Sequence, residues 1–301
     1  MPLIIFKQIL TMFTLIAVGF VLMKSGKITN EGSKSISQIL IYISLPSVII
    51  NGFMVERTSE TIKGLCIASI VSIVVILLSL FVSHLIFKKD EIADFASGFP
   101  NPGFFGVPII TASLGNSAVF YIAPFIAFLN IMQWSYGVSL LTGKKDGLKI
   151  QAIIKAPFFI ATCIGLLIFF SGIQVPMFLQ NVLSATAGVN TPLSMFMIGI
   201  YLSEVNVLDM IKNISNYKIT IVRGFIIPAL AMIIIHFVPS VFEDLKTAIM
   251  IAIACPVGTN VAVYSHLHGK NYRYAVQTVI LSTLCAIITI PIMVWIFNFT
   301  L

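Results

Sequence analysis

Gly98-Phe99-Pro100-Asn101-Pro102-Gly103-Phe104-Phe105-Gly106-Val107-Pro108 is the stretch on which the fold turns. It packs three prolines and three glycines into eleven residues, inside an apolar run near 95–114. Proline removes an N–H and clashes with the preceding turn, so no continuous helix passes through. A break of this kind has different meanings in water and in lipid, so the surrounding chain decides its reading.

The chain has 301 residues, 58% of them apolar and only 10% charged, with mean hydropathy +1.04. A soluble domain carries about 25% charged residues because water must solvate its surface. This chain in water would expose apolar skin almost everywhere and aggregate. Its solvent is a lipid bilayer, which excludes catalysis in bulk cytosol. The net charge of +7 is no nucleic-acid signature, because the basic residues sit singly or in pairs between apolar runs. Cys66, Cys163, Cys255 and Cys285 form no CxxC pair and read as packed thiols, not as a disulfide framework or a metal site.

About 20 apolar residues cross the hydrocarbon as helix. Ten stretches qualify, near 2–23, 34–54, 63–87, 95–114, 118–141, 155–172, 178–203, 218–238, 247–267 and 272–298. Helix is the element that satisfies its own backbone there, and no alternating strand pattern is sustained. The first stretch does not read as a cleaved signal, because Lys24 and Lys27 follow it and only Lys7 lies near its start. Loops after odd-numbered spans carry thirteen Lys and Arg, those after even-numbered spans three. The positive-inside bias then puts both termini outside and the 142–154 loop in the cytoplasm of a multi-pass cell-membrane protein.

The chain also repeats itself. Pro102 and Pro256 are 154 residues apart, Pro46 and Pro192 are 146 apart, and the fifth and tenth spans start 154 apart. Two copies of five helices follow, the second upside down because five is odd. The expected fold is an all-α polytopic membrane protein, a 5+5 inverted repeat with crossed broken helices four and nine. Inverted repeats with matched broken helices mark secondary transporters.

In that setting the break acquires chemistry. Asn is a favoured N-cap and proline suits the first helical position, so Asn101-Pro102 starts a half-helix. Its positive dipole end and unpaired N–H groups suit an anion. A proline kink without ligand is the alternative. Ala254-Cys255-Pro256-Val257-Gly258-Thr259-Asn260 in the ninth span has the same ingredients. Asn101, Pro102, Gly103, Thr259 and Asn260 are therefore candidate substrate contacts, and Pro102, Gly106, Pro256 and Gly258 mark the crossover. Gln133 and Asn51 either line the same cavity or bond between helices. Asn190-Thr191 ahead of Pro192 is a possible further kink. Arg223 lies about five residues inside the eighth span and is expected to snorkel to the interface, with a substrate clamp as the other reading. His84 and His236 are expected at the interface. All eleven acids fall in loops or at span ends, which leaves no midplane carboxylate for Na⁺ or protons. No metal site, cofactor motif, nucleotide loop or nucleophile–base pair emerges, so the chain does not read as an enzyme.

The break Asn101-Pro102-Gly103-Phe104-Phe105-Gly106-Val107-Pro108 resembles the Asn-x-x-x-x-Gly-x-Pro break of the auxin efflux carrier family. Cys255-Pro256 through Asn260, with Leu281-Ser282-Thr283-Leu284 and Pro291, is similar to that family's C-terminal pattern. The likeness covers nearly the whole chain, and the short central loop resembles the bacterial malate and malonate permeases rather than the plant PIN exporters. The resemblance implies scaffold segments at 1–60 and 155–205 and transport segments at 61–154 and 206–301. It implies an elevator movement, a homodimer joined through the scaffolds, and a small organic anion as substrate. A carrier of a neutral or cationic solute and a non-transporting membrane sensor are the competing readings; the absence of a soluble signalling segment weighs against the sensor.

Overall fold

A computed structural model describes residues 2–143 and 154–300. Among the described residues the regular structure is helical, with one isolated antiparallel bridge between Pro100 and Val257. Most of the 142–154 loop lies outside the described residues.

Among the described residues seven helices are long and apolar enough to cross a membrane: α1 (Pro2–Lys24), α2 (Asn30–Gly52), α3 (Ser59–Phe87), α6 (Asn116–Thr142), α8 (Met177–Glu204), α10 (Ile214–His236) and α13 (Tyr272–Thr300). Two apolar helices are shorter, α5 (Pro102–Leu114) and α7 (Pro157–Ser171). The remaining pieces are α4 (Glu91–Gly98), α9 (Val207–Lys212), α11 (Glu243–Ala254) and α12 (Asn260–Leu267). The fourth and ninth apolar stretches are thus each two helices, α4 with α5 and α11 with α12.

Local chemistry fixes these ends. Thr58 and Thr61 form a capping box at the start of α3, and the Asp90 carboxylate accepts the Ala93 N–H at the start of α4. Among the described residues, π-helical turns interrupt three long helices, at Leu40–Ser44, Gln133–Gly137 and Val222–Ile226, and a fourth, Pro102–Gly106, opens α5. Three of them end two residues before a proline, at Pro46, Pro108 and Pro228. Proline offers no N–H to the preceding turn, so the ladder there slips by one residue. Inside α8 a turn at Val189 separates Met177–Gly188 from Asn190–Glu204, at the Asn190-Thr191-Pro192 kink read from sequence.

α1 packs along the second half of α8, and α2 packs against α7 and the first half of α8. Gly19 and Gly199 make the first contact close: a Cβ on Gly199 would strike the Ile16 carbonyl oxygen, and one on Gly19 would lie 2.5 Å from that of Phe196. Small residues let helix backbones approach where lipid supplies no hydrophobic drive. Around the other group, α3 packs on α4, α6 and α10, and α13 on α10, α11 and α12. Phe95, Phe99, Phe105, Phe120 and Phe125 are fully buried between these helices.

Three expectations change. Arg223 does not snorkel; it has no exposed surface at all. Asp94 stands near a span end as expected, in the first turn of α4, and there it is 2% exposed and bonds His84 Nδ1 at 2.7 Å. Lys246, counted with a loop, is buried in α11. Cys66 and Cys163 are exposed on the helix surface, not packed, whereas Cys255 is buried and all four are free.

Candidate functional site

The two breaks cross. The Asn101 N–H donates to the Pro256 carbonyl at 3.0 Å, and the Gly258 N–H donates to the Phe99 carbonyl at 2.9 Å. This pair of bonds makes the Pro100–Val257 bridge, a two-rung ladder between chain segments about 155 residues apart. Unfolded backbone in a membrane interior is tolerated when its polar groups find partners in the protein. Here each break supplies partners to the other, and Ser282 Oγ on α13 accepts the Val257 N–H at 3.1 Å. Two glycines permit the approach. A Cβ on Gly258 would lie 3.0 Å from the Pro100 carbonyl oxygen, and one on Gly106 would lie 2.9 Å from Cys255 Sγ.

Asn101 caps α5 as its sequence position suggests. Its Oδ1 accepts the Phe104 N–H at 3.4 Å, and Pro102 follows at the first position. The residue is 7% exposed, and its Nδ2 is buried with no hydrogen-bond partner. A buried unpaired amide N–H costs about 1–3 kcal/mol, so the crossing holds an unused donor. The Gly103 carbonyl accepts from Asn190 Nδ2 at 3.0 Å, and the Phe104 carbonyl from Ser194 Oγ at 3.3 Å. These bonds tie the first break to α8.

On the second break, Thr259 is buried just before α12, and Asn260 Nδ2 donates to Gln133 Oε1 at 2.6 Å. Gln133 sits on the π turn of α6 and is 2% exposed. Gln133 thus makes the interhelical bond that was one of its two readings, and its partner is the candidate Asn260. Asn130 does not join them, because its Nδ2 bonds the Ile126 carbonyl of its own helix.

Asn51 lies elsewhere, in a cavity of about 540 Å³ between α1, α2 and α8 on one side and α5 and α6 on the other. Gln8, Thr111, Asn116, Gln180, Ser184 and Asn190 give that cavity uncharged polar walls. It reaches Val107 and Pro108, one turn beyond the first break, and Asn190, which touches Gly103. Among its lining residues there is no Asp, Glu, Lys or Arg. Asn101, Gln133, Thr259 and Asn260 are not on its wall. The crossing and the cavity thus share the α5 turn and Asn190 but are distinct volumes.

Arg223 is the residue whose surroundings differ most from the sequence reading. It reaches both breaks from α10, donating from Nη1 to the carbonyls of Ser97 at 2.9 Å and Gly98 at 3.3 Å, and from Nη2 to that of Ile253 at 2.5 Å. Its depth in an apolar span was the available signal, since a buried ionisable group in a membrane needs named partners. Among the described residues no group of His, Cys, Asp and Glu is placed to hold a metal ion.

Comparisons with known proteins agree on transport. Residues 4–153 match the family of membrane transport proteins, and residues 192–301 match the sodium bile acid symporter family. A Rhizobium meliloti (strain 1021) protein described as "Putative malonate transporter" is 22% identical over 307 residues, covering 94% of this chain and 92% of its own.

Proposed function

Since the chain is a membrane transporter of the auxin efflux carrier type, we propose that it is a secondary carrier for a small organic anion. The observation that carries this reading is the buried, unpartnered Nδ2 of Asn101 at the start of α5, where two broken helices cross. A helix N-terminus and an amide donor together favour a carboxylate and impose no charge of their own. Dicarboxylates of malonate size are the first class to test, on the strength of the relative's description.

In this account α4–α5 and α11–α12 are the broken fourth and ninth spans of a ten-span, 5+5 inverted repeat. The two breaks, 154 residues apart at Pro102 and Pro256 and paired by backbone bonds, are what supports that reading. α1, α2, α7 and α8 form the scaffold, and α3–α6 with α10–α13 form the body that moves. The uncharged cavity between them is the entry path from outside, because the positive-inside count places Met54, Asn116 and Gln180 on that face. Met177–Gly188 buries none of its side chains within one chain, which leaves that face for lipid or for a second copy in a homodimer.

The test is a flux panel in proteoliposomes holding malonate, malate, an indole acid, a neutral amino acid and a cationic amine. Saturable movement of one or more anions supports the reading. Movement of the amine or the neutral solute alone, or binding without flux, rejects it.

A further inference from the structure

Arg223 sits on the π turn Val222–Ile226 of α10, fully buried. Its three backbone acceptors are not arbitrary. Ser97 and Gly98 close α4, and Ile253 lies in the last turn of α11. These are end carbonyls that a helix leaves without partners of its own, at the negative end of its dipole. One guanidinium therefore serves the C-terminal ends of both helices that enter the crossing. A fourth bond, from Nη1 to Ser79 Oγ at 2.9 Å, ties the group to α3; Ser79 Oγ also lies 2.7 Å from the Gly98 carbonyl.

The charge balance is unusual. The ion pairs among the described residues are His84–Asp94 and Lys270–Glu91, and neither includes Arg223. Each helix end carries roughly half an elementary charge, so the two negative ends together offset about one cation. What is left at the crossing are the two positive ends, the starts of α5 and α12, again about one charge in total. Removing the guanidinium would leave four helix ends that cancel.

We infer that Arg223 is a positioning and selectivity residue: by neutralising the C-terminal ends of α4 and α11 it holds the two breaks together and leaves the crossing with the positive field that selects an anion. It does so without touching substrate. The selectivity half rests on the anion-carrier reading; the holding half does not.

The experiment compares wild type with Arg223→Lys, Arg223→Met and the milder Ser79→Ala in proteoliposomes, using malonate as probe and its uncharged diamide, malonamide, as competitor. Wild type should prefer malonate. Arg223→Lys keeps the charge with fewer bonds and should transport more slowly at nearly unchanged preference. Arg223→Met should lose preference for malonate over malonamide by roughly tenfold. A lower melting temperature and lower rate with an unchanged preference in Arg223→Met would mean a structural role alone and overturn the selectivity claim. Hydrogen exchange at the Asn101 and Gly258 amides is read in parallel and needs no substrate. Exchange should quicken roughly tenfold in Arg223→Met and less in Ser79→Ala; unchanged exchange overturns the holding role. If wild type handles only neutral or cationic solutes, the carrier reading and the selectivity claim fall together, while exchange still decides the holding role. If Arg223→Met does not fold, the same two readouts on Arg223→Lys and Ser79→Ala decide: unchanged exchange in both overturns the proposal.

Discussion

Asn260 Nδ2 stands 2.6 Å from Gln133 Oε1, so the polar side chain of the second break is already engaged by α6. Asn101, its counterpart on the first break, keeps a free donor. The crossing is therefore chemically lopsided, although both breaks carry the same residue types.

That asymmetry predicts coupling. Asn260→Ala strands the buried Gln133 amide, at a cost of about 1–3 kcal/mol, and Gln133→Ala strands the half-buried Asn260 amide, at a smaller cost. The double variant strands neither, so its melting temperature should fall by clearly less than the two single losses together. Simple additivity in a thermal-melt cycle would show that the two amides do not depend on each other.

Gly106 faces Cys255 across the crossing. Gly106→Ala should destabilise the protein by about 1–3 kcal/mol through overpacking. Adding Cys255→Ala removes the sulfur that the new methyl meets and should restore much of the loss. Gly258→Ala has backbone oxygens as its neighbours, so no side-chain change should rescue it. Melting curves of these three variants in detergent check both statements.

Sodium is the next discriminator. The crossing is lined by Asn101, Thr259, Asn260, Gln133 and Ser282, and the cavity by uncharged residues. With no carboxylate at either, flux should be equal in Na⁺ and K⁺ buffers, although the family matching residues 192–301 is named for sodium symport. Strict Na⁺ dependence would mean that these amide and hydroxyl oxygens hold the ion. A monoanion moving alone would be driven outward by a negative interior, by about 2.3 kcal/mol per charge at 100 mV.

Sidedness can be read with cysteines. In a background with all four native cysteines replaced, Ser184→Cys on the cavity wall should label with an impermeant maleimide from outside intact cells. Asp146→Cys should not. The reverse pattern would invert the topology.

Much of this was legible in the sequence because its signals are local. Pro102 after Asn101 is a helix start in any context, and the structure caps α5 there. The π turns before Pro46, Pro108 and Pro228 follow from the missing proline N–H, but the sequence reading did not foresee them. What the sequence could not give was pairing across the chain. Gln133 and Asn260 are 127 residues apart, and nothing local says that each answers the other. Arg223 misled for the same reason: five residues from a span end is within snorkelling reach, but its partners on α3, α4 and α11 come from the tertiary fold. The cavity walls from Gln8, Thr111 and Ser184 are likewise assembled from three helices far apart in sequence.

The account rests most heavily on Asn101, and malonate flux in Asn101→Ala and Asn101→Asp tests it directly. Ala removes a cap worth about 1 kcal/mol and a hydrogen bond to a charged ligand worth about 1.5–3 kcal/mol. The second loss alone weakens binding roughly ten- to hundredfold. Asp caps as well as Asn but places a negative charge at the crossing. The account predicts that Asp folds like wild type and binds malonate less well than Ala does. Wild-type flux in both variants, or tighter binding of a cation by Asp, would contradict it.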